Sequence, residues 1–280
     1  MSLFIRSASL VVAISALGAL CGGVSPASSG SARLIPIAPR HLPIVIRQRR
    51  NNAVTSSNWS GYAVTAGRST VTDVKGSWIV PSVSCSGSNQ YASLWVGIDG
   101  YNSSTVEQIG TDSDCQGGVA TYYAWYEFYP HFSYQIDLGA SIGGGDIVSA
   151  EVKSGSAGNF TVVLTDQTTG KSFNTTAKMN NAKRSSAEFI LEAPWSGGVL
   201  PLPNFGTAQF GAGFTSVAGT SDATIGGSTR TIGLFGSPTE PNSPVQQITM
   251  VASDGSVKAQ PLGLSSDGSS FQIQWVSSGP

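Results

Sequence analysis

Residues 120–129, Ala-Thr-Tyr-Tyr-Ala-Trp-Tyr-Glu-Phe-Tyr, are typical of a β-strand because aromatic side chains dominate the segment. Successive side chains of a strand point to opposite faces of the sheet. One face would carry Tyr123, Trp125, Glu127 and Tyr129, and the other would carry Tyr122, Ala124, Tyr126 and Phe128. The sequence therefore predicts a sheet in which one carboxylate sits within a row of aromatic rings.

Two further segments place acids on the faces of predicted strands. In 187–192, Glu188 and Glu192 share one face, while the other face is apolar. In the segment that begins at residue 92, Trp95 and Asp99 point together, opposite aliphatic residues typical of a core. Polar and aromatic side chains are thus expected to gather on one set of faces.

Similar short segments follow one another from residue 51 onward, separated by Gly, Ser, Asn and Asp turns. They include a short predicted strand at 105–109, and no segment has the pattern of an amphipathic helix. The number of strands is too large for one open sheet. We therefore expect an all-β fold in which two antiparallel sheets pack face to face as a jelly-roll sandwich.

Charge is scarce and unevenly distributed in this 280-residue chain. Only 11% of the residues are charged, against about 25% in an average soluble protein. Residues 1–50 hold six arginines and no acid, which leaves nine basic and 16 acidic residues in the remainder. A body this acidic offers no binding surface for a phosphate backbone, so a nucleic acid partner is not expected.

The N-terminal region is typical of an exported precursor. Residues 1–27 have the charge, apolar stretch and small residues of a signal peptide, and 28–52 form a basic pro-segment ahead of one sandwich domain at 53–280. Cys21 raises the alternative of a lipid anchor, but the preceding Leu20 is bulky for such a site. We expect a secreted monomer that has no membrane association after signal removal.

The basic cluster near the end of the pro-segment suggests a regulatory hypothesis. Arg47, Arg49 and Arg50 could cover an acidic groove at neutral pH and leave it when carboxylates become protonated. A precursor that cleaves peptides at acidic pH without a lag would contradict this hypothesis.

Two cysteines, Cys85 and Cys115, remain in the body of the chain. Thiols of exported proteins usually pair, so we predict one disulfide between them.

The residue inventory excludes several catalytic machineries. Beyond the leader the only histidine is His131, which argues against a His-rich zinc site and against a Ser-His-Asp triad. The sequence also has no Gly-x-Ser-x-Gly elbow and no phosphate-binding Gly-Lys-Ser/Thr loop. Carboxylates and amides on strands remain as the candidate catalytic groups, and no cofactor or metal is expected.

Five blocks of sequence resemble, in order, the motifs of the eqolisins, the glutamic peptidases. They are Ser57-Asn58-Trp59-Ser60-Gly61-Tyr62, Ser93-Leu94-Trp95-Val96-Gly97-Ile98-Asp99-Gly100, Gln108-Ile109-Gly110, Tyr123-Ala124-Trp125-Tyr126-Glu127-Phe128-Tyr129-Pro130 and Ala187-Glu188-Phe189-Ile190-Leu191-Glu192. The resemblance implies a concanavalin-like sandwich of two curved antiparallel sheets and an acid-active endopeptidase that acts on proteins or peptides.

The resemblance also implies roles for particular residues. Gln108 and Glu192 match the catalytic pair, and Glu192 is preferred to Glu188 on its position in the motif. The residues that match the substrate-binding groove are Trp95, Asp99, Asp112, Trp125 and Glu127.

Elementary chemistry is consistent with this pair. A glutamate can take a proton from water and then deliver it to the leaving nitrogen, while an amide can donate to the oxyanion. With no histidine in the expected site, carboxylates would set the working pH in the acidic range. Two alternatives stay open: a glycoside hydrolase that uses Glu127 and Glu192, and a non-catalytic carbohydrate-binding module.

Overall fold

A computed structural model of the chain describes residues 34–37, 40–50 and 53–279. The predicted signal peptide and Cys21 lie outside the described residues. In the described ranges, no helix has both the length and the apolar character needed to span a membrane.

Strands make up most of the described chain. They are β1 (Leu34–Ile37), β2 (Ile46–Arg50), β3 (Ala53–Ser56), β4 (Trp59–Thr65), β5 (Val71–Ile79), β6 (Ser93–Ile98), β7 (Val106–Gln116), β8 (Val119–Tyr129), β9 (Ser133–Ile136), β10 (Ile147–Ser154), β11 (Asn159–Asp166), β12 (Lys171–Lys178), β13 (Ser186–Glu192), β14 (Thr207–Gly211), β15 (Asp222–Ile225), β16 (Ser228–Thr231), β17 (Val245–Val251), β18 (Val257–Pro261) and β19 (Ser270–Trp275). The helical elements are the four-residue α1 (Ala212–Thr215) and 3-10 turns at Ser156–Gly158 and Ile232–Phe235.

The strands form two sheets that pack face to face. In the first sheet the order is β9, β8, β7, β6, β13, β4 and β17, and each neighbouring pair is antiparallel. The second sheet runs β19, β14, β5, β10, β11 and β12, also antiparallel. Strand β18 pairs with both β17 and β19 and so links the two sheets at one edge. The predicted all-β sandwich is confirmed.

The main core lies between the two sheets. Val96 and Phe189 of the first sheet and Trp78 and Val152 of the second belong to one cluster of fully buried apolar side chains. Burying a side chain of this size stabilises the fold by about 1.5–3 kcal/mol. The sheet that carries the predicted site residues is therefore packed on one face against this apolar core.

Strand β7 is longer than the sequence predicts. The prediction ended at residue 109, but β7 continues to Gln116 through the polar run 111–114. These four side chains are all fully buried, and Trp78 Nε1 donates a hydrogen bond to Thr111 Oγ1 at 2.9 Å. The sequence pattern missed this extension because the partners of these polar groups come from distant strands.

Cys85 and Cys115 form the predicted disulfide, with their Cα atoms 5.4 Å apart. It ties the end of β7 to the segment between β5 and β6.

Candidate active site

The outer face of the first sheet, which points away from the second sheet, gathers the aromatic and acidic side chains. Trp95, Trp125 and Ile190 form a buried cluster there, separate from the main core. Their strand neighbours Phe128 and Leu191 belong to the main core instead. The predicted alternation of side chains along β8 and β13 is therefore confirmed.

Gln108 and Glu192 both bind one peptide unit of the predicted pro-segment. Gln108 Nε2 donates to the carbonyl oxygen of His41 at 2.9 Å, and the N–H of Leu42 donates to Glu192 Oε1 at 3.0 Å. The peptide bond between His41 and Leu42 is trans. Because the C=O and N–H of a trans peptide point in opposite directions, the two side chains hold this unit from opposite sides.

The position of Gln108 depends on small neighbours in the sheet. Gly97 of β6 lies opposite Gln108 of β7. A Cβ atom at position 97 would lie 2.9 Å from Trp95 Cζ3 and 3.3 Å from Gln108 Cβ, so a larger residue would displace both side chains. Gln108 is fully buried, and its Oε1 atom makes no hydrogen bond with any described residue. This oxygen is an acceptor available to a small polar group.

Glu192 ends β13 and is fully buried. Trp95 Nε1 donates to Glu192 Oε2 at 2.8 Å, and His41 Nδ1 lies 3.5 Å from the same oxygen. Burial raises the pKa of Glu192 well above its ordinary value, the hydrogen bond from the Leu42 N–H opposes this rise, and the nearby charge of Glu127 adds to it. With His41 and Leu42 in place, this carboxyl therefore keeps its proton to a higher pH than an exposed glutamate does.

Glu127 binds the residue that precedes the held peptide unit. Arg40 Nη2 lies 3.2 Å from Glu127 Oε1. The N–H of His41 and the hydroxyl of Ser133 donate to Glu127 Oε2 at 3.0 and 2.6 Å. Burial raises the pKa of Glu127 to about 7, although these hydrogen bonds and the Arg40 charge act in the opposite direction.

The imidazole of His41 stacks on the indole of Trp125. The two ring centroids are 3.5 Å apart and the planes differ by 5°. The indole is itself oriented by a hydrogen bond from Trp125 Nε1 to Ser93 Oγ at 2.9 Å. His41 is fully buried, and burial lowers its pKa well below the ordinary value, which favours the neutral ring. The indole therefore forms a flat wall that accepts a planar side chain.

Two aspartates lie side by side next to this wall. The Tyr123 hydroxyl is 2.8 Å from Asp112 Oδ2 and 3.0 Å from Asp114 Oδ2. A phenol has one proton to donate, so one carboxyl must supply the proton of the second contact. Burial and the Asp112 charge raise the pKa of Asp114 to about 9, and burial raises that of Asp112 to about 7. Asp114 is thus the protonated partner over a wide range of pH.

Comparison with known proteins assigns this arrangement to a family. Residues 57–238 match the Peptidase A4 family. The chain belongs to that family. It is 36% identical to aspergillopepsin-2 of Aspergillus niger over 203 residues, which cover 62% of this chain and 71% of that protein. It is 37% identical to scytalidopepsin B of Scytalidium lignicola over 145 residues, which cover 50% of this chain and 53% of that protein.

Solved eqolisin structures share the fold. A complex of scytalido-glutamic peptidase with a transition state analog inhibitor has a TM-score of 0.62 at 24% identity and covers 79% of this chain and 98% of that chain. The aspergilloglutamic peptidase from Aspergillus niger has a TM-score of 0.53 at 28% identity and covers 67% of this chain and 99% of that chain. The protein is therefore a glutamic endopeptidase by family, which decides against the two carbohydrate-directed alternatives.

Four of the five residues that match the eqolisin groove lie around the His41–Leu42 peptide unit: Trp95, Trp125, Glu127 and Asp112. Asp99 is placed elsewhere. Its carboxylate accepts hydrogen bonds from the backbone N–H groups of Arg184 and Ser185 at 2.7 and 2.9 Å. In this eqolisin Asp99 fixes the turn that leads into β13.

Sequence reasoning missed the residues that fill the eqolisin site. Arg40, His41 and Leu42 lie in a region without periodicity, and no local signal indicated that they would enter it. The basic cluster was the expected occupant, yet Arg47 is exposed. Asn58, which contacts the same segment, stands in the first of the five blocks, so the motif itself was the signal for it.

Proposed function

We propose that this eqolisin is a secreted, acid-active endopeptidase in which Gln108 and Glu192 form the catalytic pair. The observation that carries the proposal is the shared peptide unit: the amide of Gln108 binds a carbonyl oxygen, and the carboxyl of Glu192 binds the adjoining amide nitrogen. During hydrolysis of a peptide bond, negative charge develops on the carbonyl oxygen and the leaving nitrogen must receive a proton. The proposal of secretion rests on the signal-like residues 1–27.

The geometry supports a two-residue mechanism. In the fraction of molecules whose Glu192 is ionised, the carboxylate takes a proton from a water molecule as the water oxygen attacks the carbonyl carbon, and Gln108 Nε2 donates to the developing oxyanion. The buried Oε1 of Gln108 can accept a hydrogen bond from the same water. Glu192 then passes its proton to the leaving nitrogen, and the bond between carbon and nitrogen breaks. Carboxyls alone handle the protons, which favours acidic working conditions.

The mechanism can be tested by digestion of a denatured protein at about pH 4 with pepstatin present to silence aspartic peptidases. We expect Gln108→Ala to lower the rate by about 10²–10³, because one oxyanion donor is lost. Glu192→Gln should abolish turnover, since an amide can neither accept the water proton nor return it.

Matched controls keep the test specific. Gln116→Ala changes an exposed glutamine of the same strand β7, and Glu151→Gln changes a partly exposed glutamate of β10. Both should digest the substrate at the parent rate. If the Gln108→Ala and Glu192→Gln proteins keep full activity and an unchanged circular dichroism spectrum, the assignment of these two residues as the catalytic pair is wrong.

A further inference from the structure

The side chain of Arg40, the residue before the held peptide unit, lies against the chain that follows β8. Arg40 Nη2 donates to the carbonyl oxygens of Pro130 and His131, each at 2.6 Å. Arg40 Nε donates to Glu127 Oε1 at 3.4 Å, and Nη2 lies 3.2 Å from the same oxygen. One carboxyl oxygen and two main-chain oxygens therefore bind the same guanidinium group.

Two aromatic rings lie beside the same group. Arg40 Cζ is 5.1 Å from the centroid of the Tyr129 ring and 5.6 Å from that of the Phe132 ring. The negative face of an aromatic ring attracts a guanidinium group at such distances. The Arg40 side chain is still 29% exposed, so this region opens to solvent at the rim of the groove. We call it the guanidinium site; it consists of Glu127, Tyr129, Phe132 and the carbonyl oxygens of Pro130 and His131.

The main chain of Arg40 is held by contacts that do not depend on its side chain. Its N–H and C=O groups form a two-way bridge with Trp195, and both N–H to O distances are 2.9 Å. Main-chain pairing of this kind binds any extended peptide, whereas pockets for particular side chains give specificity. Selectivity at this position therefore comes from the guanidinium site.

We propose that this eqolisin selects substrates with arginine as the second residue before the cleaved bond. The inference rests on the proposed function, in which the cleaved bond has its oxygen on Gln108 and its nitrogen on Glu192. In the structure His41 supplies that oxygen, so Arg40 occupies the second position. The substrate class is peptides and proteins in which one residue separates an arginine from the cleaved bond.

The contacts favour arginine over lysine. A guanidinium group is planar, directs several donors along its edges and stacks on aromatic rings, whereas a lysine ammonium is a compact and strongly hydrated charge. Burial raises the pKa of Glu127 to about 7, so this carboxyl is largely protonated in acid. Main-chain carbonyl oxygens do not titrate, and arginine keeps its charge at any working pH. The guanidinium site thus retains the acceptors at Pro130 and His131 under the acidic conditions of the proposed function.

The first test is digestion of a proteome-derived peptide library by the full chain at about pH 4. Mass spectrometry of the products identifies the cut sites. Arginine should be enriched at the second position before the cut, relative to its frequency in the library, and lysine should be enriched less than arginine.

A second test measures the size of the preference. One peptide from the library is resynthesised with arginine, lysine, citrulline or alanine at the second position; citrulline has nearly the shape of arginine but no charge. We expect kcat/KM to fall about 10–100-fold from arginine to citrulline, because hydrogen bonds from a charged donor are lost. Any competition from residues 40–45 of the enzyme affects every peptide of the series equally, so the ratios do not depend on it.

Two variants with similar exposure test the ring contact. Phe132, which follows β8, is 64% exposed, and Val119, which begins β8, is 66% exposed. Phe132→Ala should lower the ratio of kcat/KM between the arginine and alanine peptides about two- to fivefold, the size of an exposed cation–π contact. Val119→Ala should leave that ratio unchanged. The peptide series on the parent protein decides the proposal if Phe132→Ala fails to fold.

The outcomes distinguish this inference from the proposed function. If the library is cut without enrichment of arginine, or if the citrulline peptide is cut as fast as the arginine peptide, the inference is wrong and the proposed function stands. If lysine is enriched as strongly as arginine, the preference for a guanidinium group is wrong. If no peptide is cut, the proposed function fails and the inference fails with it.

Discussion

Replacing Asp114 with asparagine should change how the stability of this protein depends on pH. Asp114 is fully buried, and its pKa is raised to about 9 by burial and by the neighbouring charge of Asp112. In the unfolded chain the same carboxyl would titrate near 4, its approximate ordinary value. The folded state therefore keeps a proton that the unfolded state releases between these two values.

The direction and size of the effect follow from this proton. Because the native state binds more protons, the free energy of unfolding falls as pH rises, by about 1.4 kcal/mol per pH unit for one group. From about pH 4 to about pH 7 the loss attributable to Asp114 is at most roughly 4 kcal/mol. Asparagine keeps a similar shape and cannot ionise. We expect Asp114→Asn to recover between about 1 and 4 kcal/mol of this loss while changing stability little at the acidic end.

The measurement is urea unfolding followed by tryptophan fluorescence at about one-unit steps from about pH 4 to about pH 7. A Gln108→Ala background limits self-digestion at acidic pH. Asp137→Asn, which replaces an exposed aspartate on a loop, should leave the slope of stability against pH unchanged. If Asp114→Asn and its parent lose stability in parallel as pH rises, the assignment of a proton to Asp114 is wrong.

Three other variants test separate parts of the structure. Arg40→Ala should loosen residues 40–45, because it removes the contact with Glu127; faster hydrogen exchange in that segment at neutral pH is expected, and unchanged exchange would contradict it. Replacing both Cys85 and Cys115 with alanine should cost about 3–4 kcal/mol in thermal or urea unfolding, since the bridge closes a loop of 30 residues; no loss would count against the entropic estimate. Gly110→Ala should lower expression or reduce the unfolding free energy by about 1–3 kcal/mol, because the new methyl group would lie 2.6 Å from the Cβ of Trp95; a fully stable variant would show that the sheet can yield there.

Much of the site could be predicted from local pattern. Alternation along β8 and β13 placed Trp125, Glu127 and Glu192 on the face opposite the main core, as the structure has them. The ordered blocks indicated the family, and the cysteine count indicated the disulfide. These features are local because the side chains of a strand alternate with a period of two residues, and because a motif consists of residues that are neighbours in sequence.

Two features of the strands and their ends depended on tertiary structure. The polar run 111–114 belongs to a strand because its partners come from other parts of the sandwich. Asp99, which follows β6, was expected to point with Trp95 but binds the backbone N–H groups of residues 184 and 185 instead. In each case the deciding hydrogen bond joins residues far apart in sequence, so no local pattern contains it.

The occupant of the site is the strongest example of this limit. The sequence by itself determined an all-β chain with an amide and a carboxyl on one sheet face. Only the tertiary structure decided that His41 and Leu42 meet them, through hydrogen bonds that span 67 and 150 residues. Side-chain alternation is set by the backbone of each strand, whereas the meeting of His41 and Leu42 with three separate strands is set by how the whole sandwich packs.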